Sequence, residues 1–191
     1  MRGRDYMPYN SNMPRPYAVV FSGVPGVSKS PIAHYLSCEF ALPVLNTDQI
    51  RFEVREDWRL NDATWPTGIP EYTRRLRERL GKLLTSGTSF IFDGSQDRMW
   101  GERRPQLVKH DFDWCMIGME PSEPYLRKLY ADTDRADWAR DNLTHYLEQH
   151  RAFMAEYGAD VTLEIGDDNF DRRLVVAADG LRQFLQARED T

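Results

Sequence analysis

Residues 23–30, which read Gly-Val-Pro-Gly-Val-Ser-Lys-Ser, constrain the fold more than any other segment of this chain. A short β-prone run at 17–21 precedes them, and a helical pattern at 30–40 follows. The segment matches G-x-x-x-x-G-K-[ST], except that Ser28 stands where the last glycine would be. A glycine-rich turn between a strand and a helix is typical of a loop whose backbone N–H groups converge on an anion.

Different residues of this loop are expected to bind different parts of a nucleoside triphosphate and its metal ion. Lys29 would reach the β- and γ-phosphates, and the hydroxyl of Ser30 would ligate Mg²⁺. The sequence therefore predicts ATP, or another nucleoside triphosphate, and Mg²⁺ as cofactors. The alternative is a Gly-Pro turn that happens to precede a Lys-Ser helix start. The predicted nucleotide-binding residues are Gly23, Val24, Pro25, Gly26, Val27, Ser28, Lys29 and Ser30.

Two departures from the motif affect the expected affinity of the loop for a nucleotide. Ser28 adds a Cβ, which is unfavourable if its position requires φ > 0. In that case we expect Ser28→Gly to tighten the binding of Mg-nucleotide. Pro31 has no N–H, whereas in related loops the residue after the metal-ligating Ser or Thr donates its N–H to the α-phosphate. Loss of one such charge-assisted bond costs about 2 kcal/mol, so a weak nucleotide binder without catalysis is an alternative.

Strand and helix patterns alternate along the chain, which favours a parallel sheet covered on both faces. The predicted strands lie at 17–21, 42–46, 89–92, 112–119 and 161–165. The predicted helices lie at 30–40, 48–54, 71–86, 100–110, 122–130, 143–154 and 170–187. Residues 55–70, which contain Pro, Gly, Asn and two tryptophans, are predicted to form an exposed loop.

Length and composition narrow the class of protein. The 191 residues fit a single α/β domain at 17–191 after a flexible tail at 1–16. No apolar run approaches the roughly 18 residues of a membrane span, and the first residues lack the apolar core of a secretory leader, so we expect a cytoplasmic protein without a membrane partner. Cys38 and Cys115 are expected to be buried and reduced, and the four histidines form no metal-ligand spacing.

Four motifs, in this order, resemble those of the small P-loop kinases, a family that includes the polynucleotide 5′-kinase domain, chloramphenicol phosphotransferase, gluconate kinase and zeta toxins. They are the loop at 23–30, Asp48-x-x-Arg51, the apolar strand that ends in Asp93-Gly94, and an arginine-bearing lid. The first is specific, and the other three are weak singly. The resemblance covers residues 17–187 and implies the P-loop NTPase fold, a three-layer α/β sandwich. Its five-stranded parallel sheet would have the order 2-3-1-4-5, with helices on both faces.

The resemblance also implies roles for individual side chains. Asp48 would be the general base for an acceptor hydroxyl, unless it merely caps the following helix. Arg51 would hold the acceptor or a phosphate. Asp93 would orient Mg²⁺ together with Ser30, or contact the acceptor, unless it is only a loop-capping aspartate. Arg98 is a further substrate-binding candidate, or a surface arginine.

The lid is expected at about residues 130–142. Arg135 and Arg140, with Arg127 just before the lid, would stabilise the transferring phosphoryl group. The segment also holds several aspartates, so ion pairing within it is the alternative. Residues 166–169 fall where the family contacts the base, and Trp58 and Trp65 either stack on an aromatic acceptor or pack locally.

The predicted function is ATP-dependent transfer of the γ-phosphate to an unidentified acceptor hydroxyl, with Lys29, Asp48, Arg135 and Arg140 as the catalytic residues. A small-molecule acceptor is favoured over the 5′-hydroxyl of a nucleic acid because the net charge is −5. The alternative is a non-catalytic or weakly hydrolytic nucleotide-binding regulatory module.

Overall fold

One parallel sheet of five strands lies at the centre of the part of the chain that the structure describes. The computed structural model describes residues 15–131 and 140–190. Within these residues the strand order is β2-β3-β1-β4-β5, and every neighbouring pair is parallel, as predicted. The strands are β1 (Tyr17–Ser22), β2 (Val44–Asn46), β3 (Phe90–Ser95), β4 (Asp113–Met119) and β5 (Leu163–Ile165).

Helices connect the strands. In the described ranges they are α1 (Lys29–Phe40), α2 (Thr47–Asp57), α3 (Ile69–Ser86), α4 (Trp100–Lys109), α5 (Glu123–Ala131), α6 (Leu143–Tyr157) and α7 (Arg173–Glu189). Short 3₁₀ turns lie at Trp65–Gly68, Gly158–Asp160 and Phe170–Arg172. Among the described helices, none combines the length and the apolar character that crossing a membrane requires.

Side-chain alternation along β1 builds a core on each face of the sheet. Val19 and Phe21 pack in a cluster with residues of α1, α5 and α7. Ala18 and Val20, which point to the opposite face, pack in a second cluster with residues of α2, α3 and α4. All four side chains are inaccessible to solvent. Because a central strand is buried on both faces, the predicted three-layer sandwich is confirmed.

The predicted exposed loop at 55–70 is wrong at both ends. α2 continues through Asp57, and α3 begins at Ile69. Pro70 lies in the first turn of α3, where a residue without an N–H loses no helical hydrogen bond. Pro66 likewise lies at the start of the 3₁₀ turn at Trp65–Gly68. The prolines therefore mark helix starts here rather than irregular backbone.

The two cysteines differ in their surroundings. Cys115 is buried in β4, and burial raises the pKa of its thiol to about 12. Cys38 is exposed, so the prediction that both are buried is wrong for Cys38. The reason is helical periodicity, since the core face of α1 carries Ile32 and Leu36, and a residue two positions after Leu36 lies about 200° around the helix.

Candidate active site

The backbone of the loop at 23–30 curls between β1 and α1. Gly23 has φ 117°, and Gly26 has φ 78°. A Cβ on Gly23 would lie 2.7 Å from the Cβ of Met119, and one on Gly26 would lie 3.1 Å from the ring of Tyr130. Positive φ and close neighbours both require glycine at these two positions. The chain thus makes the tight reversal that the motif predicts.

Ser28 has a left-handed backbone conformation, with φ 66° and ψ 23°. Ser28 thus has the positive φ at which its Cβ is unfavourable. A left-handed conformation costs a residue with a Cβ about 1 kcal/mol. The Ser28 side chain makes no hydrogen bond that caps α1, so no capping bond offsets this cost.

Lys29 lies against the inner side of the loop. Its Nζ donates hydrogen bonds to the carbonyl oxygens of Gly23, at 2.8 Å, and Val24, at 2.5 Å. The residue is only 9% exposed. Burial lowers the pKa of Lys29 to about 8, although the negative charges of Asp97, Asp93 and Asp48 act in the opposite direction. The ammonium group is thus within electrostatic range of three carboxylates, of which Asp93 and Asp97 lie in and just after β3 and Asp48 lies in the first turn of α2.

Ser30 and Asp93 form the candidate metal site. The Ser30 hydroxyl donates to Asp93 Oδ1 at 2.9 Å, and the Asn46 side chain donates to Asp93 Oδ2 at 2.8 Å. Asp93 is buried, and burial raises the pKa of its carboxyl group. A hydroxyl and a carboxylate in contact fit Mg²⁺, which prefers hard oxygen ligands and takes its remaining ligands from phosphate and water.

Asp48 lies in the first turn of α2, at the carboxyl end of β2. The alternative that it caps this helix is wrong, because Asn46 is the cap and its Oδ1 accepts from the backbone N–H of Gln49 at 2.8 Å. The Asp48 side chain is 61% exposed, and its Oδ1 lies 3.0 Å from Arg51 Nη2. Asp48 and Arg51 are thus adjacent, as one helical turn predicts.

A buried network beneath the loop was not predicted from the sequence. The Gly23 N–H donates to Asp97 Oδ1 at 2.9 Å. His150 bridges two carboxylates, with Nδ1 at 2.8 Å from Asp97 and Nε2 at 2.5 Å from Glu120. Burial lowers the pKa of His150, but these two hydrogen bonds outweigh it and raise the pKa to about 9. An imidazolium ion therefore connects α6 to the first residue of the loop.

Two signals in the sequence could have indicated this network. Asp97 and Glu120 follow the ends of β3 and β4, and carboxyl ends of parallel strands are where functional side chains gather. His150 lies in register with the apolar residues Leu143 and Leu147 of α6, and a histidine on such a face needs polar partners.

The predicted lid residues lie only partly within the described chain. Arg135 is outside the described residues. The Arg140 Nε lies 3.9 Å from Asp141 Oδ1. The Arg127 side chain pairs with Glu123 at 2.6 Å. The ion pairs within and beside the segment agree with the alternative interpretation for Arg127 and Arg140, and their role in phosphoryl transfer stays a prediction.

Arg98 is exposed beside the loop. It lines a small cavity of about 30 Å³ together with Gly23, Val24, Ser95 and Gln149. This volume holds about one water molecule. Arg98 therefore lies near the site, on the side of Asp97, and its contact with substrate stays a prediction.

The remaining candidates, which are Trp58, Trp65 and the segment at 166–169, lie outside the loop at 23–30. Trp65 packs edge-on against Tyr72, with ring centroids 5.9 Å apart, which agrees with local packing. Trp58 is 49% exposed. Asp167, in the segment at 166–169, accepts hydrogen bonds from the backbone N–H and hydroxyl of Ser122, at 2.7 and 2.6 Å. This contact joins the turn after β5 to the chain that enters α5.

A parallel sheet in this order, with a glycine-turned Lys-Ser loop after the central strand, is the fold of the small P-loop kinases. Solved structures agree. A gluconokinase from Sinorhizobium meliloti 1021 is similar at TM-score 0.63 and 16% identity, over 92% of this chain and 97% of that one. A shikimate kinase from Bacteroides thetaiotaomicron is similar at TM-score 0.56 and 10% identity, over 89% and 98%.

The APS kinase CysC of Mycobacterium tuberculosis, solved with AMPPNP and APS, is similar at TM-score 0.55 and 17% identity, over 89% of this chain and 99% of that one. No protein-family model and no curated protein sequence matches the chain. At these identities the likeness shows the fold alone.

Proposed function

We propose that this protein is an ATP-dependent phosphotransferase that moves the γ-phosphate to an acceptor hydroxyl, with a small molecule as the favoured acceptor. One observation carries the proposal. Asp93 accepts hydrogen bonds from Ser30 of the loop, at 2.9 Å, and from Asn46, at 2.8 Å, and Asn46 is the cap of the helix whose first turn carries Asp48, so the loop, the metal candidate and the base candidate meet at one edge of the sheet. The similar solved structures include a gluconokinase, a shikimate kinase and an APS kinase, whose names describe small-molecule kinases.

Each residue has a distinct task in this reaction. Lys29 and the backbone N–H groups of the loop bind and orient the phosphates. Asp48, exposed to the acceptor side, accepts the proton of the acceptor hydroxyl as its oxygen attacks the γ-phosphorus. Arg51 holds the acceptor, and Arg140 and Arg135 neutralise charge on the transferring group. Ser30 and Asp93 would hold Mg²⁺, which supplies charge neutralisation at the phosphate oxygens.

Turnover of labelled ATP over a panel of hydroxyl acceptors tests this proposal. Lys29→Ala should lower both nucleotide binding and transfer, whereas Asp48→Asn should bind Mg-ATP normally and lose transfer by at least about 100-fold. Asp179→Asn, on α7 and paired with Arg182, is the matched control and should equal the wild type. Transfer that survives in Asp48→Asn would refute the role of the base.

A second candidate is a nucleotide-binding regulatory module that does not transfer phosphate. The left-handed Ser28 and the missing N–H of Pro31 favour it, because both weaken the cradle for phosphate. It predicts Lys29-dependent binding of Mg-nucleotide with no acceptor-dependent turnover on any compound. Slow phosphate release that is equal in wild type and Asp48→Asn, without acceptor, would mark weak hydrolysis instead.

A further inference from the structure

A chain of hydrogen bonds connects the loop at 23–30 to α6. The Gly23 N–H donates to Asp97 Oδ1 at 2.9 Å, and Asp97 Oδ2 lies 2.8 Å from Nδ1 of His150 on α6. On its other side, the Gly23 carbonyl oxygen accepts from Lys29 Nζ at 2.8 Å. The backbone of Gly23 therefore links the histidine of α6 to the lysine that is expected to bind phosphate.

The side chains of this network have fixed positions. Those of His150 and Asp97 are only 7% and 8% exposed. The Ser95 hydroxyl donates to Asp97 Oδ1 at 2.7 Å, and the imidazole ring stacks on Phe153, with ring centroids 6.2 Å apart. Glu120 Oε1 lies 2.5 Å from His150 Nε2. Both nitrogens of the imidazole thus have a carboxylate partner.

Asp97 and Glu120, here called the acidic pair, place negative charge beneath a loop that is proposed to bind an anion. Burial raises the pKa of Asp97, but its hydrogen bonds with His150, Ser95 and Gly23 outweigh burial and lower the pKa, so this carboxylate is ionised at neutral pH. Negative charge in a partly buried position repels phosphate more strongly than it would in water. The acidic pair therefore opposes nucleotide binding unless a cation balances it.

His150 is the cation that contacts both members of the acidic pair. With a protonated imidazole, the network carries one negative charge, and with a neutral side chain at this position it would carry two. A glutamine at position 150 could keep a hydrogen bond to Asp97, but it could not supply the charge. Hydrogen bonding and charge balance can therefore be separated by substitution.

We propose that His150 is a positioning residue for nucleotide binding, which holds the backbone of Gly23 through Asp97 and balances the charge of the acidic pair so that the loop accepts the phosphates of Mg-ATP. The inference rests on the proposed binding of a nucleotide at this loop. It extends the binding machinery from the loop to α6.

Calorimetric titration of Mg-ATP at pH 7 and low ionic strength tests the inference. The pKa of Lys29 is about 8, so this lysine is mostly protonated at pH 7. We expect His150→Gln to bind Mg-ATP about tenfold more weakly than wild type, because one uncompensated charge then acts on the phosphates. His145→Gln, which replaces an exposed histidine of the same helix, should bind as wild type does.

A compensating substitution distinguishes charge balance from packing. Glu120→Gln/His150→Gln removes one carboxylate together with the cation, so the network again carries one negative charge. We expect this double variant to bind Mg-ATP within about threefold of wild type. Glu148→Gln/His150→Gln removes an exposed carboxylate of α6 instead and should stay as weak as His150→Gln. A merely structural role predicts no such rescue, since the second substitution would only add to the first.

Three results separate this inference from the proposed function. No binding of Mg-ATP by wild type would refute the nucleotide site and the inference together. Equal affinity of wild type and His150→Gln would overturn the inference alone. A double variant Glu120→Gln/His150→Gln that is as weak as His150→Gln would also overturn it, and would leave the nucleotide site standing.

Glu120→Gln alone carries the test if His150→Gln does not fold. The Glu120 side chain is 29% exposed, so its substitution perturbs the core less than that of the buried histidine. At pH 6, with Asp97 still in contact with the imidazole, the network of this variant carries no net charge. We expect it to bind Mg-ATP about threefold more tightly than wild type at the same pH. Equal or weaker binding would overturn the inference.

Discussion

The raised pKa of His150 predicts that the free energy of unfolding falls as the pH rises from 6.5 to 8. Its pKa is raised from 6.5 to about 9 by the carboxylates of Asp97 and Glu120. At about 1.4 kcal/mol per pH unit, this raised pKa is worth about 3 kcal/mol of folding free energy. Because the folded pKa is the higher one, the stabilisation is complete below about pH 6.5 and is lost as the pH rises through about 9. About half of it, roughly 1.5 kcal/mol, should disappear between pH 6.5 and pH 8.

Urea unfolding of wild type and His150→Gln at these two pH values measures this loss. The lowered pKa of Lys29, about 8, affects stability mainly above this interval. We expect the wild type to lose about 1.5 kcal/mol more than His150→Gln between the two pH values. His145→Gln, an exposed histidine on the same helix, should behave as wild type. Equal pH dependence of wild type and His150→Gln would refute the charged bridge.

Three further substitutions probe the loop and the base. Ser28→Gly should raise the free energy of unfolding by about 0.5–1 kcal/mol in urea titrations, because it relieves the left-handed conformation, and an unchanged value would show that the serine is unstrained. Gly23→Ala should lower the free energy of unfolding by roughly 3 kcal/mol or more, because φ at this position is 117° and the new Cβ would meet Met119. A calorimetric Tm equal to that of wild type would contradict this. Asp48→Asn should leave the Kd for Mg-ATP within about threefold while kcat falls at least about 100-fold, and an unchanged kcat would argue against a general base.

The sheet was predictable because local patterns and one motif agree. A buried run, a glycine turn and a helix starting at Lys29 determine the chain path from β1 to α1. The strand order came from resemblance, since alternation of strands and helices predicts parallel pairing but no particular order. The pairing of Ser30 with Asp93 follows from the same topology, because both lie at the carboxyl edge of the sheet.

The remaining features depend on long-range packing, which periodicity does not encode. Arg103 and Arg104 are adjacent in sequence, yet one is buried without a carboxylate and the other pairs with Asp160. The contact of His150 with Asp97 and Glu120 joins three segments that are distant in the chain. Asn46, rather than Asp48, caps α2, because a cap is decided by the residue at which the backbone turns from strand to helix.

Calorimetric titration of Mg-ATP into wild type, Lys29→Ala and Lys82→Ala tests most directly whether this chain holds a nucleotide in the loop at 23–30. Lys82 is an exposed lysine of α3 that pairs with Glu78, and it serves as the control. We predict that wild type and Lys82→Ala bind Mg-ATP alike and that Lys29→Ala binds at least about tenfold more weakly. Equal affinity of all three proteins, or no binding by wild type, would contradict the account.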